Sequence, residues 1–216
     1  MTAAESTDGR PFVCGLVLAA GGSRRLGRPK QLLAYGDGTL LGHVLDVARA
    51  CAFDQSLCVL GGGADAVREE VDLAGFDVVV NESFGEGCSS SIAAALAAVD
   101  DRVEVLVLML GDQPGVRPTT VATLLAGRGE APMAVCEYED GRGHPLAFAR
   151  STFADLSSLH GDKGVWRLMD RLGDAVATVP VPGPIPRDVD TEEDYEAVLA
   201  ERRAGSSAQG APRGGL

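Results

Sequence analysis

A cationic, glycine-rich segment follows the first apolar run of the sequence. Residues 18–30 read LAAGGSRRLGRPK and carry four cationic side chains within seven positions, although the chain of 216 residues has a formal net charge of -12. The four cations are Arg24, Arg25, Arg28 and Lys30. The adjacent Gly21 and Gly22 let backbone N–H groups approach a ligand, and Arg and Lys side chains match phosphate oxygens. We predict that this segment binds a polyphosphate.

An acidic residue follows the most apolar run of the chain. Asp112 comes one glycine after residues 103–110, which read VEVLVLML and are typical of a strand buried on both faces. A carboxylate at the end of such a strand suits Mg²⁺, which prefers oxygen ligands, although Asp is also common in turns. We predict that Asp112 binds magnesium.

Two further acids lie near the end of the chain. Asp188 and Asp190 occur two positions apart in a short extended segment. Because side chains alternate along an extended chain, we expect these two to point to opposite sides, so that only one faces the metal. Thr191 and Asp194 also fit a capping box, which gives this acidic cluster a structural alternative.

The rest of the sequence predicts the elements that must position these residues. Apolar runs alternate with segments of helical periodicity, which is typical of an α/β fold with a mainly parallel sheet and right-handed crossovers. The predicted strands are residues 12–20, 56–60, 77–80, 103–110, 132–138, 145–148 and 175–179. The predicted helices are residues 39–53, 64–74, 89–99, 118–125, 164–172 and 191–203. Ligands bind beyond the carboxyl ends of parallel strands, which selects residues 21–30, 61–63, 81–91 and 111–114.

Length and charge limit the organisation and the partners of the protein. We expect one domain over residues 12–203, a flexible segment over residues 1–11, and a disordered tail rich in small residues over residues 204–216. The net charge of -12 argues against nucleic acid and anionic membrane as partners. No apolar run approaches the roughly 20 residues of a membrane-spanning helix. The polar start lacks the apolar core of a signal peptide, so we expect a cytoplasmic protein.

Two other phosphate-binding motifs fit the sequence less well. Gly27 is followed by Arg28 and Pro29, whereas a P-loop needs Gly-Lys followed by Ser or Thr. Residues 61–66 (GGGADA) loosely match the dinucleotide-binding fingerprint, with Glu82 about twenty residues later. This pattern favours an NAD(P)-binding oxidoreductase as an alternative function, which leaves the cationic segment without a role.

Several segments resemble, in the same order, those of one family of nucleotidyltransferases. LAAGGSRRLGRPK is similar to the signature LAAGxSxRxGxxK of the molybdenum cofactor cytidylyltransferase family, and the resemblance extends over most of residues 13–200. The other segments are NESFGEGCSSS at 81–91, GDQP at 111–114, GHP at 143–145, GDKG at 161–164 and DVDTEEDY at 188–195.

The resemblance implies a Rossmann-like, three-layer αβα nucleotidyltransferase fold whose first loop wraps a nucleoside triphosphate. It implies that Arg25, Lys30 and Asp112 are catalytic, with Asp112 and Asp190 holding Mg²⁺. The implied nucleotide-binding residues are Leu18, Ala19, Ala20, Gly21, Gly22, Ser23, Arg25, Lys30, Asn81, Ser89 and Ser90.

The implied second-substrate residues are His144 and Lys163, which lie in the GHP and GDKG segments. These residues also have structural alternatives. His144 is equally well explained as a turn residue before Pro145, and an exposed Lys163 beside a helix start is usually solvated. One of the serines at 89–91 is expected to cap the helix that follows.

The reaction implied by the resemblance is attack by a phosphate monoester on the α-phosphorus of a nucleoside triphosphate, with release of pyrophosphate. The related guanylyltransferases carry Gly where this sequence has Ala20, so the implied nucleotide is CTP. The implied acceptor is a molybdopterin-type cofactor, and a molybdenum hydroxylase is the partner expected to receive the product. The alternatives are GTP as the nucleotide, a sugar phosphate or isoprenoid-precursor phosphate as the acceptor, and a catalytically silent nucleotide-binding partner.

Overall fold

A seven-stranded, mostly parallel sheet forms the centre of the protein. The structure is a computed structural model and describes residues 9–23 and 25–209. The strands are β1 (Val13–Ala19), β2 (Ala34–Tyr35), β3 (Gly38–Thr39), β4 (Gln55–Leu60), β5 (Asp77–Val80), β6 (Val105–Leu110), β7 (Met133–Tyr138), β8 (Gly141–Ala149) and β9 (Val176–Pro180). The order in the main sheet is β5-β4-β1-β6-β8-β7-β9, and β8 is the strand that runs antiparallel to both of its neighbours.

Helices cover both faces of this sheet. The α-helices of the protein are α1 (Leu40–Ala50), α2 (Ala64–Glu70), α3 (Cys88–Leu96), α4 (Pro118–Arg128), α5 (Phe153–Ser157), α6 (Gly164–Leu172) and α7 (Glu192–Gln209), of which α1 to α6 pack on the sheet. Apolar residues of α1, α2 and α4 pack on one face, and those of α3, α5 and α6 pack on the other. The predicted three-layer α/β architecture with a mainly parallel sheet is confirmed.

The central strand β1 shows why its sequence is apolar throughout. All seven of its residues are buried, and all except Gly15 belong in alternation to the two apolar clusters that fill the space above and below the sheet. Val17 belongs to the cluster beneath α1, whereas Leu16 and Leu18 belong to the cluster beneath α3. A strand with helices on both faces requires this pattern.

The last helix packs beside the cationic segment rather than on the sheet. A third apolar cluster joins Val198 of α7 to Leu33, Tyr35 and Leu40. The hydroxyl of Tyr195 also donates a hydrogen bond to the carbonyl of Ala34, at 2.6 Å. The β2–β3 hairpin and α7 therefore fix the position of the residues that follow Lys30. This packing brings the segment around Ala34 into contact with α7, which lies about 160 residues later in the chain.

Several predicted boundaries are corrected by the structure. α7 continues to Gln209, so residues 204–209 are helical although the sequence predicts a disordered tail from residue 204. The other end regions, residues 1–8 and 210–216, lie outside the described residues, as does Arg24. β8 begins at Gly141 rather than at 145, and the short helix α5 is not predicted. Within the part of the chain that the structure describes, no helix combines the length and apolarity needed to cross a membrane.

Candidate active site

A cavity of about 830 Å³ opens at the carboxyl edge of the central strands. Its walls are the loop after β1, the residues that follow β6, the first residues of β8, and the extended segment that precedes α7. The amino ends of α3 and α6 close it from one face. This is the edge at which ligands bind in parallel α/β sheets, as the sequence predicts.

The centre of the cavity wall is an ion cluster around Lys30. Its ammonium group contacts a carboxylate oxygen of Asp112 and lies 2.9 Å from Oδ1 of Asp190. The Lys30 side chain is only 13% exposed. Burial alone would lower the pKa of Lys30, but the two carboxylates raise that pKa above its ordinary value. Lys30 is therefore a fully charged cation at neutral pH.

Arginines of the same loop reach the segment before α7. Arg25 Nη2 lies 2.6 Å from Oδ2 of Asp190, and Arg28 Nη2 lies 2.9 Å from Glu192. Burial acts to raise the pKa of Asp190, but Lys30 and Arg25 together lower it below its ordinary value. The Arg25 side chain is 67% exposed, and exposed ion pairs contribute little to stability. Arg25 can therefore exchange its carboxylate for a phosphate at small cost.

The loop that carries these cations is held by its own polar groups. Ser23 adopts a positive φ of 49°, and its hydroxyl accepts a hydrogen bond from the Lys30 backbone N–H at 2.9 Å. The side chain of the buried Gln31 donates to the carbonyls of Ala19 and Gly21, at 2.7 and 3.1 Å. A Cβ on Gly21 would come within 3.3 Å of the Lys30 side chain. The glycine thus leaves room for Lys30 to reach the carboxylates.

The predicted orientation of the last two acids is wrong. Asp188 and Asp190 both line the cavity, while Val189 between them is fully buried and donates its N–H to the Asp112 carbonyl at 3.1 Å. Side chains two positions apart on an extended chain share a face, so the two carboxylates point the same way. Burial in the cavity, followed by the charge of Asp112, raises the pKa of Asp188 to about 6.

Asn81 and the serines at the start of α3 do not make the nucleotide-facing contacts that the sequence predicts. Asn81 is buried and donates hydrogen bonds to the hydroxyls of Ser90 and Ser91, at 2.8 and 2.9 Å. Ser89 is also buried and donates to the carbonyl of Gly161 at 2.5 Å. The structure therefore does not place Asn81, Ser89 or Ser90 on the cavity wall, whereas Cys88 and Ser91 do line it. No serine side chain caps α3, whose N-cap residue is Gly87.

The side of the cavity beyond Asp112 is formed by β8 and α6. His144 lines it, and its ring lies 5.8 Å from that of Trp166 with an interplanar angle of 81°. Burial lowers the pKa of His144 to about 4, so its imidazole is neutral at physiological pH. Lys163 is exposed and does not line the cavity, whereas Arg142 and Asp162 do.

Gly61 and Gly62, the first two glycines of the fingerprint-like pattern, are covered by other residues of the protein. A Cβ on Gly61 would lie 2.5 Å from the Ala20 carbonyl, and the Phe84 ring lies against both Gly61 and Gly62. Residues 61–66 do not line the cavity. The fingerprint-like pattern therefore marks close packing of backbone against Phe84.

A family model for the MobA-like NTP transferase domain matches residues 15–176, which is three quarters of the chain. The chain belongs to the MobA-like NTP transferase family. This match includes the cationic loop, Asp112 and the β8 wall, whereas Asp188 and Asp190 lie beyond its end.

Solved and curated proteins support the same family membership. The Rv0371c homologue from Mycobacterium sp. strain JC1 is 53% identical, with 89% of this chain and 98% of that chain covered and a TM-score of 0.85. Rv0371c from Mycobacterium tuberculosis H37Rv, solved in complex with manganese, is 46% identical, with coverages of 88% and 98% and a TM-score of 0.78. Nicotine blue oxidoreductase from Paenarthrobacter nicotinovorans is 34% identical over 163 residues, which cover 71% of this chain and 79% of that protein.

The residues of this MobA-like site fit a divalent cation. Lys30 and Arg25 face the carboxylates of Asp112, Asp188 and Asp190, so the cluster keeps an excess of negative charge. The Lys30 ammonium is itself a cation that lies between Asp112 and Asp190. Among the described residues, no group of three or more His, Cys, Asp or Glu side chains is arranged to hold a metal. Two carboxylates with substrate phosphates and water are the usual set for Mg²⁺.

Some residues of the MobA-like site are not identified by the sequence argument. Arg142 directly precedes the GHP segment, and Trp166, the only tryptophan of the chain, follows Lys163 by three positions. Both line the cavity, as does Phe84. The closeness of Arg142 and Trp166 to the GHP and GDKG segments is a sequence signal that they belong to the site. Whether their side chains face the cavity depends on how β8 and α6 pack.

Proposed function

We propose that the protein transfers CMP from CTP to the phosphate group of a molybdopterin-type cofactor and releases pyrophosphate. The observation that carries this proposal is the position of Lys30, held between Asp112 and Asp190 where the cationic loop meets the rest of the cavity. Membership of an NTP transferase family supports the reaction class. The choice of CTP and of the acceptor rests on the sequence resemblance.

The nucleotide is expected to bind on the β1 side of the cavity. The backbone of residues 21–23 and the side chains of Arg25 and Lys30 line this side and offer N–H groups and positive charge to the triphosphate. The buried Ala20 and Leu18 form an apolar surface next to them. This side is therefore polar at one end and apolar at the other, as a nucleotide requires.

The reaction itself needs positioning and charge neutralisation. An oxygen of the acceptor phosphate forms a bond to the α-phosphorus, and the bond from that phosphorus to the bridging β-phosphate oxygen breaks, so pyrophosphate leaves with the electron pair. The acceptor phosphate is already ionised near neutral pH, so no strong general base is required. Lys30 and Arg25 stabilise the negative charge that develops on the triphosphate.

A divalent ion is expected to bind at Asp112 and Asp190. Mg²⁺ bound there would neutralise phosphate charge and polarise the α-phosphorus. The manganese complex of the similar Rv0371c supports a divalent ion in this chain. Lys30 pairs with both carboxylates, and its positive charge reduces their mutual repulsion.

A second candidate function is favoured by one observation, the similarity to nicotine blue oxidoreductase. Because one fold can host many different reactions, the choice between nucleotidyl transfer and an oxidoreductase activity must be argued from the residues of the site. Gly61 and Gly62 pack against Phe84, and none of residues 61–66 lines the cavity, so the loop on which the oxidoreductase hypothesis depends does not face the site. The cationic loop and the two metal-binding carboxylates fit nucleotidyl transfer better.

The experiment that tests the proposal measures pyrophosphate release with CTP, GTP, ATP and UTP, each with and without molybdopterin. We expect release only when molybdopterin is present, and fastest with CTP. Release with GTP as the preferred nucleotide would replace the cytidylyl assignment, and release with a sugar phosphate in place of molybdopterin would replace the acceptor. No release with any pair, accompanied by oxidation of NADH or NADPH when nicotine blue is supplied as the electron acceptor, would favour the oxidoreductase.

A further inference from the structure

The two carboxylates that are expected to hold the divalent ion are already paired with cations of the chain itself. Lys30 contacts Oδ2 of Asp112 and lies 2.9 Å from Oδ1 of Asp190, and Arg25 lies 2.6 Å from Oδ2 of Asp190. Both oxygens of Asp190 and one oxygen of Asp112 are therefore engaged. A metal ion can bridge Asp112 and Asp190 through these oxygens only after the Lys30 ammonium has left them.

The pair formed by Lys30 and Asp112 is largely shielded from water. The side chain of Lys30 is 13% exposed and that of Asp112 is 17% exposed. Water and salt screen such partly buried pairs much less than exposed ones. Arg25, by contrast, is 67% exposed and is free to exchange its carboxylate for another anion. Of these two cations, Lys30 is therefore the stronger obstacle to a metal ion.

A short movement of its side chain would carry the Lys30 ammonium from the carboxylates to a polyphosphate. The Lys30 backbone is fixed, because its N–H donates to the hydroxyl of Ser23 at 2.9 Å, but its four-carbon stem rotates freely about its single bonds. A Cβ on Gly21 would come within 3.3 Å of Cε and 3.9 Å of Nζ of Lys30. The end of the side chain thus lies beside the loop backbone that is proposed to face the triphosphate.

We propose that Lys30 is an internal counterion that blocks the metal site until a bound polyphosphate draws its ammonium away. Without polyphosphate, Lys30 neutralises Asp112 and Asp190, so a divalent ion binds weakly. A polyphosphate offers the ammonium other anionic oxygens and leaves the two carboxylates to the ion. Each of the two ligands therefore raises the affinity for the other. This inference rests on the proposed function for the positions of the metal ion and the triphosphate, but its test needs no CMP transfer.

The first measurement is the affinity of the full-length protein for Mn²⁺ in the absence of nucleotide, followed by the electron paramagnetic resonance signal of the unbound ion. We expect Lys30→Met, which keeps the aliphatic stem and removes the ammonium, to bind Mn²⁺ at least about tenfold more tightly than the wild type. Lys30→Gln should change the affinity in the same direction. A Lys30 that only supported the fold would give the opposite result, since its loss would weaken the metal site.

Two further variants show where the additional Mn²⁺ binds. Adding Asp112→Asn to Lys30→Met should remove the gain in affinity, because it takes one carboxylate from the site. The matched control is Arg171→Met, which removes an exposed arginine that pairs with Asp155 at 2.6 Å outside the cavity. Its Mn²⁺ affinity should equal that of the wild type.

The second measurement follows Lys30 itself. The sequence contains two lysines, Lys30 and Lys163, and Lys163 is exposed and does not line the cavity. Protein labelled with ¹³C at the lysine ε-carbons is titrated with inorganic tripolyphosphate without metal, and nuclear magnetic resonance records the two signals, which Lys163→Met assigns. We expect a saturable shift of the Lys30 signal, while the Lys163 signal stays unchanged as an internal control.

The proposal is overturned if Lys30→Met binds Mn²⁺ no more tightly than the wild type, or if Arg171→Met gains as much affinity. It is also overturned if Asp112→Asn leaves the gain of Lys30→Met intact, or if tripolyphosphate does not move the Lys30 signal. Neither measurement contains CTP or an acceptor, so a failure of CMP transfer and a failure of this proposal are separate results.

Discussion

The Lys30 ammonium lies 2.9 Å from a carboxylate oxygen of Asp190, a residue 160 positions later in the chain. The same ammonium contacts Asp112, which follows a different strand. Three segments that are distant in sequence thus meet in one ion cluster at the edge of the sheet. The cluster joins the cationic loop to the acidic residues, so a change at Lys30 should affect phosphate binding and the carboxylates together.

Replacing Lys30 should impair the triphosphate site. We expect Lys30→Met, which keeps the aliphatic stem and removes the charge, to lower turnover at least tenfold, equivalent to about 1.4 kcal/mol of barrier. Arg25→Ala should have a similar effect. Steady-state pyrophosphate release and CTP titration by calorimetry measure both variants. The matched control is Lys163→Met, because Lys163 is exposed and away from the cavity wall. Wild-type kinetics in both Lys30→Met and Arg25→Ala would remove this site from the mechanism.

The three carboxylates should differ in their effects on metal dependence. Asp112→Asn is expected to abolish metal-dependent transfer, and Asp190→Asn to reduce it at least tenfold, since each removes a charged oxygen that now faces Lys30. Asp188→Asn should raise the metal concentration needed for half-maximal turnover without abolishing turnover, because Asp188 shares the cavity but is not bonded to Lys30.

Turnover measured against magnesium and manganese concentration tests this order. All three substitutions keep the size of the side chain, and far-ultraviolet circular dichroism verifies that each variant is folded. Wild-type turnover and metal dependence in Asp112→Asn would contradict the metal assignment.

Ala20 should bias the choice of nucleotide. It is buried beside Leu18 and lines the nucleotide side of the cavity. We expect the unaltered protein to have a higher kcat/KM for CTP than for GTP. Ala20→Gly should lower the ratio of these two kcat/KM values by no more than about tenfold, since one methyl group gives modest discrimination. Competition between the two nucleotides in one reaction measures the ratio directly. A wider preference for CTP in Ala20→Gly would show that the methyl group does not exclude guanine.

His144 should contribute to the pH dependence of stability. Its pKa is lowered from 6.5 to about 4 by burial, so the unfolded chain binds a proton more readily than the folded protein. This contribution to stability is complete above about pH 6.5 and is lost as the pH falls towards 4. At about pH 5.5 the loss is at most 1 to 2 kcal/mol.

Urea unfolding of the wild type and of His144→Gln, near pH 7.5 and near pH 5.5, measures this effect. His144→Gln is expected to lose less free energy of unfolding between the two pH values than the wild type, whatever its stability at the higher pH. Equal losses in both proteins would show that His144 titrates normally in the fold.

Local patterns in the sequence were sufficient to predict most of the sheet and helices. β1 is apolar on both faces because helices cover both faces, and Thr39 begins α1 by accepting a hydrogen bond from the Gly42 N–H at 3.1 Å. Both features are visible in short stretches of the sequence, as an uninterrupted apolar run and as a threonine before a helical pattern. The predicted helix over residues 164–172 accordingly coincides with α6.

Other features depend on contacts that sequence spacing does not describe. Asn81 and Ser89 have the residue types of a nucleotide site, but hydrogen bonds to Ser90, Ser91 and the Gly161 carbonyl turn them into the protein. Asp188 and Asp190 both face the cavity because side chains two positions apart on an extended chain share a face. The position of Arg142 on the cavity wall depends on the antiparallel pairing of β8, which the apolar pattern does not specify.

The most direct test of CMP transfer follows the phosphorus atoms of CTP. The protein is incubated with molybdopterin, a divalent metal and CTP that is radiolabelled either at the α-phosphorus or at the γ-phosphorus. We predict that the α label appears in a molybdopterin–cytidine product and the γ label in pyrophosphate, in equal amounts, and that Lys30→Met forms neither. Retention of the α label in CTP or free CMP, with molybdopterin unchanged, would contradict the proposed function.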